Sequence, residues 1–211
     1  MLQIQAFTFS PIEENTYLLF NESGHCMVID PGCYFDEEKD RLKAFIQSKN
    51  LLPTLLLNTH CHLDHVFGNK YVAETFGLTL HLHQKEQAVL AYAPTSGLMY
   101  NMPFDNYQGP VNLLKEGDVI SLGEDQLTCF ETPGHSPGSL CFYSRTQGFI
   151  IGGDVLFKRG IGRTDLPFGS HETLLNSIRE KLFVLPPETI VYPGHGPSTT
   201  IGEEIRENPF L

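Results

Sequence analysis

The chain of 211 residues is poor in positive charge, and no long apolar run stands at its N-terminus. Lysine and arginine together number 14 against 25 acidic residues, which gives a formal net charge of -11. Such a surface repels nucleic acids and anionic membranes, so neither is expected as the main partner. Residues 1–7 alternate apolar and polar side chains like a strand, without the basic region of a signal peptide. We therefore expect a cytoplasmic protein.

The chain also lacks the cysteine pattern of a disulfide framework. Its five cysteines are odd in number and include no CxxC pair, which indicates reduced thiols. Cys61 lies between His60 and His62, but alternate side chains of an extended segment point to opposite sides. We therefore expect Cys61 to have a packing role. The others are Cys26, Cys33, Cys129 and Cys141.

No linker or low-complexity segment divides the chain. Its length and its 41% hydrophobic content suit one compact domain over residues 1–211. The pattern predicts helices at residues 36–50, near 71–76 and at 172–183, on the spacing of their apolar side chains. Two halves of this kind suit a two-layer sandwich flanked by helices. Strands are predicted at 2–7, 16–20, 26–30, 55–58, 126–131, 139–144 and 149–151.

Residues 91–110 are predicted to form a loop. Pro94, Gly97 and Pro103, among others, interrupt any helical or strand periodicity there. The apolar side chains of this segment need cover. The segment therefore either forms a wall of a substrate cleft or is a surface excursion packed on the core.

Four side chains that can bind metal follow the apolar stretch 55–57: His60, His62, Asp64 and His65. Residues two apart in an extended segment project to the same side, so His60 and His62 can converge on one ion. Four ligands bunched this closely are difficult to place around one tetrahedral ion that keeps an open position, and this favours two neighbouring ions. Imidazole and carboxylate ligands suit zinc, iron or manganese.

Three more candidate ligands lie further along the chain, each at a strand end or in a glycine-rich turn. His135 lies in TPGHSPG, Asp154 follows IIGG, and His195 lies in YPGHG. A rigid sheet presents the side chains at its strand ends to a shared cleft, and the glycines allow the backbone to turn sharply there. We therefore expect these three to join the first four.

The series HxHxDH, then His, Asp and His, resembles the signature of the metallo-β-lactamase superfamily at every ligand position. The resemblance covers nearly the whole chain and implies an α/β fold, the four-layer αββα sandwich of two mixed β-sheets flanked by helices. It also implies two divalent metal ions, with zinc expected and iron or manganese as alternatives. By this resemblance, His60, His62 and His135 hold one ion, Asp64, His65 and His195 hold the second, and Asp154 bridges them.

Within that superfamily, NTHCHLDHVFGN, TPGHSPGS, GGDVLF and YPGHG are most similar to the glyoxalase II (hydroxyacylglutathione hydrolase) branch, and the penicillin-cleaving branch fits less well. The implied activity is hydrolysis of a small thioester such as S-lactoylglutathione. Two ions about 3.5 to 4 Å apart can share a water and lower its pKa toward about 7, which supplies the attacking hydroxide. Asp64 and Asp154, beside that hydroxide, are the expected catalytic side chains. A thiolate with a pKa near ~8.5 leaves without a strong general acid, and no such acid is evident here.

The substrate is less well defined by the pattern. Arg163 matches a basic position that contacts glutathione in glyoxalase II, whereas Asp165 stands where a tyrosine is expected. Arg163 therefore either binds a substrate carboxylate or pairs with Asp165. The chain ends soon after His195 without the C-terminal helical glutathione-binding domain of long glyoxalase II enzymes, and it resembles the short, single-domain bacterial hydrolases of this kind. Residues 201–210 are expected to form one or two helical turns.

Two alternatives remain open. Persulfide dioxygenases of the same superfamily share the NTHCHxDH and GxGRTD motifs and bind a single iron through positions that match His60, His135 and Asp154. A non-catalytic metal-binding scaffold or sensor is the other alternative, although an open dinuclear ligand set has little purpose without chemistry.

Overall fold

Two six-stranded sheets lie face to face in the computed structural model, which describes residues 1–211, and helices cover the outer face of each sheet. The strands are β1 (Gln3–Phe9), β2 (Glu14–Phe20), β3 (His25–Ile29), β4 (Leu52–Leu57), β5 (Leu80–His83), β6 (Val111–Leu114), β7 (Val119–Leu122), β8 (Asp125–Glu131), β9 (Leu140–Ser144), β10 (Phe149–Gly153), β11 (Leu156–Phe157), β12 (Gly160–Ile161), β13 (Ile190–Pro193) and β14 (Thr199–Thr200). The helices are α1 (Asp36–Ser48), α2 (Leu63–Val66), α3 (Asn69–Phe76), α4 (Glu86–Met99), α5 (His171–Ser177), which continues as a π-helix (Ile178–Leu182), and α6 (Ile201–Glu207).

Both sheets are mixed. The first has the strand order β1-β2-β3-β4-β5-β6, antiparallel from β1 to β3 and parallel from β3 to β6. The second has the order β14-β13-β10-β9-β8-β7, in which only β10 and β13 run parallel. The strands β11 and β12 form a separate hairpin.

The layering follows from strands that are apolar on both faces. Leu18 and Leu56 point toward the helices α1, α3 and α4, whereas their neighbours Leu19 and Leu57 point toward the second sheet. Side chains alternate with a period of two along a strand, so each strand contributes to two cores at once. A third core joins the second sheet to α5, the π-helix and α6. The expected αββα sandwich of two mixed sheets is confirmed.

The prediction of a loop over residues 91–110 is wrong for its first half, because α4 continues to Met99. Pro94 lies inside this helix and cannot donate to the carbonyl of Leu90. The side-chain amide of Asn106 donates to that carbonyl at 2.7 Å instead. A Cβ on Gly97 would lie 2.7 Å from the carbonyl oxygen of Met102, so glycine lets the following segment cross close to the helix.

The other helices largely match their predictions. The helix expected at 36–50 is α1, and the one expected near 71–76 is α3. The helix expected at 172–183 divides into α5 and the π-helix, and the expected C-terminal turns are α6. No helix combines the length and the apolar character that crossing a membrane requires.

Candidate metal centre

All seven predicted ligands lie at one edge of the sandwich, beyond the carboxyl ends of four strands. Residues 58–65 follow β4, His135 follows β8, Asp154 follows β10 and His195 follows β13. In each sheet these strands point the same way, because β8 and β10 both run antiparallel to β9, and β10 runs parallel to β13. The seven candidate ligands are His60, His62, Asp64, His65, His135, Asp154 and His195.

Three histidine rings converge as the first set. The Nε2 of His135 lies 2.8 Å from the Nδ1 of His62 and 3.2 Å from the Nε2 of His60. The ring planes stand nearly perpendicular to one another, at 84 to 87°. Three ring nitrogens directed at one point can supply three of the four ligands of a tetrahedral metal site.

The second set consists of Asp64, His65 and His195. The Nε2 of His195 lies 3.0 Å from the Oδ2 of Asp64, and the Nε2 of His65 lies 3.7 Å from the same oxygen. Their ligand atoms lie within 4.8 Å of one another. The structure therefore brings together the same two triads that the resemblance to the metallo-β-lactamase superfamily implied.

Asp154 lies between the two triads. Its Oδ2 is 3.6 Å from the Nε2 of His135 and 3.6 Å from the Nε2 of His195, and its Oδ1 is 3.4 Å from the Nε2 of His65. A carboxylate whose Oδ2 is equally far from a histidine of each set has the placement of a bridging ligand. Close approach by His195 depends on Gly194, since a Cβ there would lie 2.1 Å from the Oδ1 of Asp154.

The second nitrogen of most of these rings is held by the protein. The Nδ1 of His135 faces the carbonyl oxygen of Arg163 at 2.8 Å, and the Nδ1 of His195 faces that of Glu13 at 3.2 Å. The Nδ1 of His65 faces the Oδ2 of Asp30 at 3.1 Å. Such contacts fix the orientation of an imidazole and direct the other nitrogen toward the metal side.

Asp30 is close enough to His60 and His65 to form a further triad, but its oxygens are already in use. Its Oδ1 accepts from the backbone N–H of Thr59 at 2.7 Å and from the side chain of Asn58 at 3.1 Å. Its Oδ2 accepts from the hydroxyl of Thr59 and faces His65. Asp30 therefore orients His65 and the ligand loop.

Glu86, at the first turn of α4, connects the two loops that carry the first triad. Its Oε2 accepts from the backbone N–H of Cys61 at 2.8 Å. Its Oε1 accepts from the hydroxyl of Ser136 at 2.6 Å and from the backbone N–H of Gly138 at 2.7 Å. The carboxylate is fully buried, so these three bonds are its contacts in place of water.

The electrostatics differ between the two triads. Burial, reinforced by the neighbouring histidines, holds the pKa of His60 well below its usual value, and it lowers that of His62 to about 3. Burial also opposes a charge on His65, but the surrounding carboxylates, Asp64 first, outweigh it and raise the pKa of His65 well above normal. The first triad thus presents neutral imidazoles, and the second lies in a negative field that attracts a cation.

Two buried atoms at the centre have no hydrogen-bond partner, the Nε2 of His65 and the Oδ1 of Asp154. Leaving a buried polar atom unpaired costs about 1–3 kcal/mol, so each needs a compensating contact. A cation coordinated by both would supply one, and imidazole with carboxylate is a donor set for zinc, iron or manganese. These side chains therefore fit divalent metal ions.

An open cleft of about 370 Å³ lies over the centre, and five of the candidate ligands line it. Ile12, Phe157 and Leu166 are among its apolar walls, and α4 contributes Ser96 while Tyr100 follows it. Residues 91–110 were expected either to form a wall of a cleft or to pack on the core as a surface excursion. Ser96 and Tyr100 line the cleft, so the first role is observed for these two residues.

Arg163 lies at the cleft, but its guanidinium is engaged. Its Nε and one Nη donate to the two oxygens of Asp165 at 2.8 and 2.7 Å, and both side chains are more than half exposed. The contact with Arg163 lowers the pKa of Asp165 to about 2. Of the two roles considered for Arg163, the pairing with Asp165 is the one seen.

Three buried carboxylates near the candidate ligands are absent from the sequence-based prediction. They are Asp30, Glu86 and Glu14, whose Oε1 lies 4.0 Å from the Nδ1 of His65. Asp30 had a signal, since it ends a buried strand that is adjacent to β4, like the predicted ligands. Glu86 had no such signal, because nothing in the sequence distinguishes it from the other acidic residues of the chain. Cys61 packs in the core between the first sheet and its helices, as expected.

Comparison with known proteins places these observations in a family. The family model of the metallo-beta-lactamase superfamily matches residues 10–195. The probable metallo-hydrolase YqgX of Bacillus subtilis is 41% identical over 202 residues, which cover 95% of this chain and 93% of that protein. The hydroxyacylglutathione hydrolase GloC of Haemophilus influenzae is 34% identical over 212 residues, or 100% of this chain and 98% of that protein.

Solved structures give the same result. The BLEG-1 B3 metallo-beta-lactamase superposes with a TM-score of 0.91 at 37% identity, covering 99% of each chain. TTHA1623 in a di-iron-bound form has a TM-score of 0.88 at 36% identity, over 98% of this chain and 100% of that one. ETHE1 from Myxococcus xanthus has a TM-score of 0.80 at 28% identity, over 98% of this chain and 83% of that one.

Proposed function

The chain belongs to the metallo-beta-lactamase superfamily, and from this premise we propose that it is a metal-dependent hydrolase of small acyl thioesters. The observation that carries the proposal is the convergence of two triads on Asp154 at the floor of an open cleft. The relationship to GloC, a hydroxyacylglutathione hydrolase, supports the thioester as substrate. The ligands are the seven residues predicted from the sequence.

Divalent ions held by the two triads would supply Lewis acidity and a water of lowered pKa. The neutral rings of His60, His62 and His135 offer lone pairs, while Asp64 and Asp154 neutralise positive charge. The identity of the ions is proposed as zinc, with iron or manganese as alternatives. TTHA1623, the related protein with a di-iron centre, supports a two-ion site of this kind.

The remaining side chains of the cleft favour a thioester over an amide. Apart from the candidate ligands, its protic side chains are Ser96, Tyr100 and Arg163. None of these is a carboxyl, imidazole or thiol group, which are the side chains that serve as general acids near neutral pH. A thiolate leaves without protonation, whereas an amine does not.

The test is a substrate panel on purified protein, metal-free and loaded with zinc, iron or manganese. We expect metal-dependent hydrolysis of S-lactoylglutathione or of a neutral acyl thioester, and the released thiol is the product to measure. A β-lactam belongs in the panel because BLEG-1 is similar to this chain. Absence of thioester cleavage by every metal-loaded form would contradict the proposal.

A second candidate is persulfide oxygenation at a single iron, supported by the similarity to ETHE1. The Nε2 of His135 lies 3.2 Å from that of His60 and 3.6 Å from the Oδ2 of Asp154, so these three can share one ion. Oxygen uptake and sulfite formation from glutathione persulfide, with one iron per chain, would favour this reaction over hydrolysis.

A further inference from the structure

A small apolar pocket, here called the side pocket, opens beside the metal cleft. The two cavities share His62, Leu63, Ser96 and Leu166, so they are continuous at a candidate ligand. The side pocket is much the smaller, about 40 against 370 Å³. A ligand with one atom at the metal centre can therefore extend a second group past His62 into the side pocket.

The chemistry of the side pocket is apolar. Seven of its ten lining residues are hydrophobic, and none is Lys, Arg, Asp or Glu. Val89 and Ala93 form the wall on the α4 side and are buried. An ionised group would lose its hydration there without gaining a partner, whereas a methylene chain would gain contacts.

The opposite wall is a tight turn that holds an aromatic ring at the surface. The N–H of Gly169 donates to the carbonyl of Leu166 at 2.9 Å, and Ser170 donates to the carbonyl of Gly134, next to His135, at 2.7 Å. Phe168 in this turn has a φ of 70°, which is rare for a bulky L residue. Its side chain is 67% exposed, and the 44% exposed Tyr92 lines the same pocket.

Backbone strain costs folding free energy and exposed aromatic rings gain little from burial, and the two together are typical of a binding surface. Among the residues that line the cleft, Arg163 is the one lysine or arginine, and Asp165 engages it. Apart from the proposed metal ions, neither cavity therefore offers a free lysine or arginine to a polyanionic ligand.

We propose that the side pocket binds the short, uncharged acyl chain of the thioester substrate, so that acyl length determines specificity. The inference rests on the proposed thioester hydrolysis. It places the reacting carbonyl at the candidate ligands and the apolar acyl chain against Ala93 and Phe168. The leaving thiol then occupies the larger cleft.

The test measures kcat/KM for acetyl, propanoyl, butanoyl and hexanoyl thioesters of one small neutral thiol, N-acetylcysteamine. For the wild type, we expect a rise of up to about fourfold per methylene until the side pocket is filled. Ala93→Leu fills the side pocket from α4 and is expected to reduce kcat/KM for butanoyl at least tenfold more than for acetyl. Such a dependence on acyl length separates a binding role from a general structural defect.

Ala91→Leu is the matched control, because it makes the same change on the exposed side of the same helix. We expect the wild-type length profile for this variant. Phe168→Ala is the second test variant and removes the opposite wall, so a folding defect in Ala93→Leu does not leave the question open. It should flatten the rise with acyl length.

Three results separate the outcomes. Thioester hydrolysis with no dependence on acyl length, or with the same profile in all variants, overturns the role of the side pocket and leaves the hydrolase assignment intact. A second series keeps the acetyl group and lengthens the thiol. A kcat/KM that rises with the length of the thiol in place of that of the acyl group also overturns this role. No hydrolysis of any thioester overturns the proposed function itself.

Discussion

Replacing Glu86 tests whether one buried carboxylate holds the first triad in place. Its two oxygens accept from Cys61, Ser136 and Gly138, which adjoin the loops carrying His60, His62 and His135. Glu86→Ala leaves two buried N–H groups and a hydroxyl without their acceptor. Glu86→Gln keeps one acceptor oxygen, but its NH₂ group must face one of the two N–H donors.

The expected losses follow from these contacts. An orphaned buried donor costs about 1–3 kcal/mol, and the Ser136 hydroxyl can rotate toward another acceptor. Burial raises the pKa of Glu86, so removing the carboxylate also recovers part of its desolvation cost. We therefore expect Glu86→Ala to lose about 2–4 kcal/mol of unfolding free energy and Glu86→Gln about 1–2 kcal/mol. Loosened ligand loops should weaken metal binding about tenfold or more.

Urea unfolding of the metal-free protein and calorimetric metal titration measure the two effects separately. The matched control is Glu204→Ala, which removes another buried carboxylate with three donors, from Thr199, Arg159 and Asn208. Unlike Cys61 and Ser136, none of these donors is adjacent in sequence to a candidate ligand, so this variant should lose stability with metal affinity unchanged. Wild-type metal affinity in both Glu86 variants would refute the positioning role.

Three further predictions concern the site and the thiols. Asp154→Ala and His62→Ala should each remove most activity and lower the metal content, and wild-type turnover with full metal occupancy would contradict their assignment as ligands. Because Asp165 engages the guanidinium of Arg163, Arg163→Ala should change KM equally for thioesters that bear a carboxylate and for neutral ones, whereas a larger rise for the carboxylate-bearing ones would show that Arg163 binds the substrate. All five thiols are buried, and burial raises their pKa, to about 12 for four of them. The native protein should therefore react with a thiol reagent only after unfolding, and rapid labelling of the native state would contradict the packing described.

The candidate metal ligands could be located from the sequence because each carries local information. His60 and His62 follow an apolar strand at the spacing of an extended chain, and His135, Asp154 and His195 adjoin glycine turns. Strand ends are where a sheet presents side chains to a cleft, so local pattern and tertiary position coincide. The spacing of apolar side chains is also local, and it predicted the outer helix over residues 36–50, which the structure has at Asp36–Ser48.

The features that escaped prediction depend on contacts between distant residues. Pro94 appeared to exclude a helix, but Asn106, in a segment without regular structure, satisfies the carbonyl that proline leaves free. Glu86 acquires its role only when α4 meets two loops, one of them 52 positions further along the chain. Asp30 likewise acts on Thr59, 29 positions away. The spacing of residues along the chain does not predict such contacts, because they form only when the strands, helices and loops pack together.

The central claim is a centre of two ions, and the metal content of the purified protein tests it most directly. Elemental analysis against protein concentration, after loading with zinc, iron or manganese and removal of the excess, gives the number of ions per chain. The two triads joined by Asp154 predict two divalent ions per chain in the form that hydrolyses thioesters. A fully active form with a single ion per chain would contradict this account.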